Sequence, residues 1–95
     1  MIDQKFNIDI ENILKKSAIK VNSSLLSEYI YDEETSSLIV KFNNSDDMYF
    51  YNLPLSVFKS FLIAESKGSF FHKKIKGSYP WKKVKDIVQN AQPLS

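Results

Sequence analysis

Ninety-five residues, 43% hydrophobic, 25% charged and 14% aromatic, describe one small globular domain rather than several. The lack of cysteine excludes a disulfide framework, a thiolate nucleophile and a zinc site built on sulfur, and no run approaches the ~18 apolar residues of a membrane span. The net charge of +2 hides a polarity, because residues 1–58 sum to −4 and residues 59–95 to +6.

In chain order, the spacing of Ile10, Ile13, Leu14 and Ala18 predicts a short amphipathic helix over Asp9–Lys20, with Asp9 as a cap. Asn22-Ser23-Ser24 breaks that pattern and opens a β region. Leu25–Tyr31 alternates, with Leu26, Glu28 and Ile30 on one face and Tyr29 and Tyr31 on the other. The polar run Asp32-Glu33-Glu34-Thr35-Ser36 is a tight turn whose acids need only solvent. Leu38, Val40 and Phe42 recur at period two and predict a half-buried strand. Asn43–Asp46 is a second turn, and Met48–Tyr51 the third strand of an antiparallel meander.

At Pro54 the period changes. Val57, Phe58, Phe61 and Leu62 form one helical stripe, fit to cover a face of the three-stranded sheet. Phe70, Phe71 and Ile75 predict another short helix that ends near Gly77. Pro80 can start a last helix with the stripe Trp81, Val84, Ile87 and Val88, and Pro93 closes the chain. The expected architecture is therefore α+β: a three-stranded antiparallel β-meander packed against helices, with an additional N-terminal and a C-terminal helix. Residues 1–22 read as a helical extension, 23–90 as the domain and 91–95 as a tail.

Little in the sequence points to catalysis. His72, the single histidine, has no cysteine or second histidine at metal spacing. Two glycines cannot make a phosphate-cradling loop, and no serine-centred elbow is present. No enzymatic activity, cofactor or metal is expected. The informative stretch is KGSFFHKKIKGSYPWKKVK, from Lys67 to Lys85, with seven lysines and no acid. Lysines neutralise phosphates, and flat rings among them stack on unpaired bases. Arginine is absent, which counts against readout of base edges. The packing alternative stands beside this: Phe71 and Ile75 have core spacing, and a lysine run is often only a solvated face.

Several short motifs at fixed offsets are familiar. Ser23-Ser24, Tyr31-Asp32, the strand Leu38–Phe42, Leu53-Pro54 with Val57-Phe58, Gly68-x-Phe70-Phe71, Ile75-Lys76 and Tyr79-Pro80-Trp81 together resemble the KTSC domain, a bacterial module named for its place at the C-terminus of some lysyl-tRNA synthetases. Two departures stand out. The Tyr-x-Tyr pair of the family falls, in gapless register, on Met48 and Phe50, one residue before Tyr49 and Tyr51. Either a bulge restores the tyrosines or they point the other way, and alternation favours Met48 and Phe50 inside with Tyr49 and Tyr51 outside. His72 stands where the family often has Asn.

The resemblance implies no catalytic residues and suggests RNA binding. Composition and resemblance thus converge on a non-enzymatic cytoplasmic module that binds RNA or single-stranded nucleic acid. Its phosphate contacts would be Lys67, Lys73, Lys74, Lys76, Lys82, Lys83 and Lys85, with His72, Tyr79 and Trp81 as stacking rings. The alternative is a protein-interaction module, an adaptor or inhibitor, that docks through Tyr29, Tyr31, Tyr49 and Tyr51 or through its acidic half.

Overall fold

The computed structural model describes residues 10–91, so the Asp9 cap and a tail closed by Pro93 lie outside the described residues. Its elements are α1 (Ile10–Leu14), β1 (Ile19–Lys20), β2 (Leu26–Asp32), β3 (Ser37–Phe42), β4 (Met48–Asn52), α2 (Leu55–Ile63), α3 (Lys67–Phe70), one π turn (Phe71–Ile75), β5 (Trp81–Lys83) and α4 (Val84–Ala91). The strands form one antiparallel sheet in the order β1-β2-β3-β4-β5. The fold is α+β as expected, but with five strands in place of three.

Both added strands are edges that helical spacing disguises. Ile19 and Lys20 leave the N-terminal helix, which stops at Leu14, and pair with Tyr29 and Glu28. The Lys20 ammonium sits 3.2 Å from the Glu28 carboxylate, and the Val21 N–H donates to the Ser27 carbonyl at 2.9 Å. At the other edge Trp81, Lys82 and Lys83 pair with Tyr51, Phe50 and Tyr49, and Asn52 N–H donates to the Pro80 carbonyl at 3.0 Å. The last helix therefore starts at Val84 and not at Pro80. An isolated helical turn is marginal, so ladder bonds to a formed neighbour decide the matter at both places.

Helices cover the sheet on both faces. On one, Phe58 and Phe61 of α2 with Phe71 and Ile75 of the π turn pack on Leu26, Tyr29, Leu38, Val40 and Tyr51. On the other, Ile10 and Ile13 of α1 with Val84 and Ile87 of α4 pack on Ile30, Ile39 and Phe50. The β3 strand is consequently not half-buried: Leu38, Ile39 and Val40 are all no more than 1% exposed. The unbroken apolar run Leu38-Ile39-Val40 is what a strand buried on both sides looks like in sequence.

Two-sided burial also corrects the tyrosines. Strand β4 runs against β3 in unbroken register from Met48 to Asn52, so no bulge moves them. Met48 and Phe50 face α1 and α4, while Tyr49 and Tyr51 face the α2–π-turn layer. Tyr29 and Tyr51 are buried, and Tyr31 stacks on Phe58 at 3.9 Å while its hydroxyl donates to the Leu53 carbonyl at 2.8 Å. Tyr29 and Tyr51 are therefore not the outward rings the sequence suggests, while Tyr31 and Tyr49 are half-buried. In β2, Leu26 opposes Phe42 and Glu28 opposes Lys41, so Ser27 is a bulge. That extra residue moves Leu26 onto the face of Tyr29 and Tyr31 and off the face of Ile30.

The β2–β3 turn depends on Asp32, which is 6% exposed rather than solvated. Its Oδ2 accepts the Thr35 hydroxyl at 2.6 Å and the Thr35 N–H at 3.0 Å, and Lys16 Nζ lies 3.4 Å from Oδ1. The Thr35 hydroxyl holds the carboxyl below its ordinary value of 3.8; burial opposes this, and the Thr35 N–H and Lys16 add to it. A depressed carboxylate stabilises the fold above the unfolded value, and the gain disappears as pH falls through the folded one. Thermal melts should therefore show Asp32→Asn about 1 kcal/mol less stable than the parent at pH 7, with the gap narrowing as pH falls below the ordinary value of 3.8. A gap that does not narrow with acidification would contradict this.

Candidate nucleic-acid interface

The basic segment begins at the β1 edge. The Ser66 hydroxyl accepts from the Ser69 N–H at 3.2 Å and starts α3. Gly68 then presses on the chain before β2: a Cβ there would stand 2.6 Å from Ser23 Oγ, which already accepts from the N–H groups of Leu25 and Leu26. This contact accounts for both Ser23 and Gly68 in the motif series. From here α3 runs directly into Phe71, which lies edge-on against Phe42 of β3 and Tyr51 of β4 at 5.5 and 5.1 Å.

At Phe71 the helix widens into a single π turn, closed by the Lys76 N–H donating to the Phe71 carbonyl at 2.8 Å. Such turns recur at functional sites because they force side chains out of regular helical register. This one buries Phe71 and Ile75 and leaves His72, Lys73 and Lys74 exposed, with Lys76 exposed just beyond. Among the described residues no ion pair engages Lys73, Lys74 or Lys76. Gly77, at φ +82°, turns the chain back towards the sheet in a conformation that an L side chain resists. Tyr79 is half-buried against the core, so its ring serves packing.

Trp81 follows on the β5 edge and is 49% exposed. Its indole leans on Tyr49 at 5.7 Å and lies near-parallel to Tyr51 at 6.4 Å. Phe42, Tyr49, Tyr51, Phe71 and Trp81 thereby make a continuous set of rings from the π turn to the sheet edge. Burial, with help from Tyr49, pushes the Tyr51 phenol up to about 12, so it stays a neutral packing ring at physiological pH. Of the large side chains in the motif series, only Lys76 and Trp81 are exposed; the others hold the fold together.

The remaining lysines divide. Lys83 projects from β5 on the same face as Trp81, and its ammonium is 3.6 Å from Asp47 Oδ2; Lys85, the second residue of α4, is 3.8 Å from Oδ1 of the same carboxylate. Lys67 does not join them. Its ammonium donates to the Leu62 carbonyl at 3.0 Å, at the end of α2 near the β1 edge. Lys82 alternates to the opposite face, the side of Phe50. The π turn thus leaves His72, Lys73, Lys74 and Lys76 exposed, β5 leaves Trp81 half-exposed, Lys83 and Lys85 meet at Asp47, and Lys67 and Lys82 lie elsewhere. Sequence reasoning missed Asp47 and the support that Tyr49 gives Trp81. The alternation of Tyr49 with Phe50 carried the second signal, assigned to solvent.

Among the described residues no group of three His, Cys, Asp or Glu side chains could hold a metal ion, and no helix is long and apolar enough to cross a membrane.

Residues 22–79 match the KTSC domain. The fold is similar to the crystal structure of a KTSC domain protein from Yersinia pestis, with a TM-score of 0.66, 30% identity, and coverage of 72% of this chain and 96% of that one. Among curated proteins, the chain is similar to the lysine–tRNA ligases of Trichormus variabilis and Nostoc punctiforme, at 29% and 25% identity over 75 residues. Those 75 residues are 79% of this chain but only 13% of each ligase.

Proposed function

This chain belongs to the KTSC domain family, and we propose that it is a non-catalytic module that binds RNA or another single-stranded nucleic acid through the π turn and the β5 edge. The observation that supports this reading is that Lys73, Lys74 and Lys76 are exposed and make no ion pair with any described residue, while the half-exposed Trp81 indole packs on Tyr49 and Tyr51, on the sheet face that the π turn covers. Point charges on mobile stems bind a phosphate backbone without reading sequence, and a flat ring accepts any base. The lack of arginine fits that division of labour. The similarity to part of a tRNA ligase supports the same class of ligand, although the chain spans a small fraction of that enzyme. A cytoplasmic location goes with this reading.

Fluorescence anisotropy with a labelled oligouridine tests it. Binding is expected at micromolar to tens of micromolar protein in 50 mM salt. It should weaken roughly twentyfold to a hundredfold at 200 mM salt if three to five phosphates are contacted. Absence of binding at tens of micromolar protein in 50 mM salt would end the nucleic-acid reading.

A second reading, protein docking, keeps one observation in its favour although Tyr29 and Tyr51 are buried. Ile19 of β1 and Leu62 of α2 are exposed and line one open groove with Tyr31 and Phe58, at the sheet edge opposite β5. A stoichiometric protein partner recovered regardless of nuclease, and lost on Leu62→Lys, would favour it.

A further inference from the structure

Lys83 and Lys85 both reach for one acid, Asp47, and each takes a different oxygen of its carboxylate. Two cations on one anion leave a positive excess. All three side chains are more than a third exposed, so neither pair is held strongly. Asp47 sits at the end of the β3–β4 loop, where its N–H donates to Ser45 Oγ at 3.1 Å. Two positions back from Lys83, on the same face of β5, stands Trp81, and Tyr49 connects them: it is the register partner of Lys83 and touches the indole. Residues two apart along a strand are about 6.8 Å from each other along the backbone, so Lys83 and Trp81 leave β5 as neighbours on one face. Tyr49 and Tyr51 lie against the indole, and about half of the Trp81 surface, 49%, is exposed.

We propose that Trp81, Lys83 and Lys85 form a nucleotide subsite, in which an unpaired base lies on the exposed part of the indole while its phosphate displaces the Asp47 carboxylate from the two lysines. This rests on the nucleic-acid reading above and adds two features to it: a base-stacking position, and an internal anion that competes with the ligand.

Trp81 is the single tryptophan of the chain, so its emission reports this position directly. The test compares oligouridine with an abasic oligomer of the same length and charge, in 50 mM salt, by tryptophan quenching and by anisotropy. Wild type should bind oligouridine about tenfold more tightly than the abasic oligomer, with quenching only by the former. Trp81→Ala should lose that preference, and Trp81→Phe, which keeps a ring and guards against misfolding, should retain most of it. Asp47→Asn should tighten binding of both oligomers about twofold to fivefold. Salt-dependent anisotropy without quenching and without base preference would overturn the stacking position yet leave the lysine face intact. Equal or weaker binding by Asp47→Asn would overturn the displacement. No binding to either oligomer would overturn both this subsite and the reading beneath it.

Discussion

Replacing Phe71 by alanine is expected to lower stability by about 3–5 kcal/mol, a large part of the 5–15 kcal/mol that holds a domain of this size. Phe71 is fully buried and meets Phe42 and Tyr51 edge-on, so its removal opens a cavity between the π turn and two central strands. For a chain this short, each kcal/mol moves the melting temperature by about 4–8 °C, so a fall of at least 12 °C should appear in a circular dichroism melt. Phe71→Leu keeps most of the volume and should cost about 1–2 kcal/mol. The same ring anchors the turn that carries His72, Lys73 and Lys74, so Phe71→Ala should also weaken oligonucleotide binding below the melting transition. A melting temperature that falls by less than about 5 °C would mean that this contact is not central to the core.

Reversing Lys73, Lys74 and Lys76 to glutamate should do the opposite: leave the fold and remove the ligand. Each single-strand phosphate contact is worth roughly a tenfold gain in affinity at 50 mM salt through counterion release. Three lost contacts, with repulsion added, should weaken oligouridine binding by a hundredfold to a thousandfold. The three side chains are exposed and make no ion pair with any described residue, so the melting temperature should move by only a few degrees. The control is the same triple change at Lys15, Lys20 and Lys59, outside the proposed face, which should cost much less affinity. Equal losses in the two triples would reduce the effect to overall charge and remove the case for a defined face.

The fold was legible wherever a pattern was local. Leu38–Phe42 and Met48–Tyr51 were readable as strands, Phe58 and Phe61 as the buried stripe of α2, and Phe71 and Ile75 as core. Ile19–Lys20 and Trp81–Lys83 were not. They are too short to carry a periodicity, and each exists because a neighbour offers ladder partners. The faces of Tyr49 and Tyr51 were misread for a related reason. Alternation separates two faces of a strand but does not say that one is wet, and here α1 and α4 cover the second.

The candidate site divides along the same line. By itself the sequence determined the family motifs, the apolar content of the core and the concentration of lysine after residue 58, because these are matters of composition and order. Only the tertiary structure decided where those lysines lie and what each one meets. It ties Lys67 to the end of α2, turns Lys82 to the far face, and brings Lys83 and Lys85 to Asp47 from a strand and a helix. Electrostatic partnership falls off with distance through space, and 36 residues separate Asp47 from Lys83 along the chain. The 3.6 Å between their charged atoms exists only once β4 and β5 have paired.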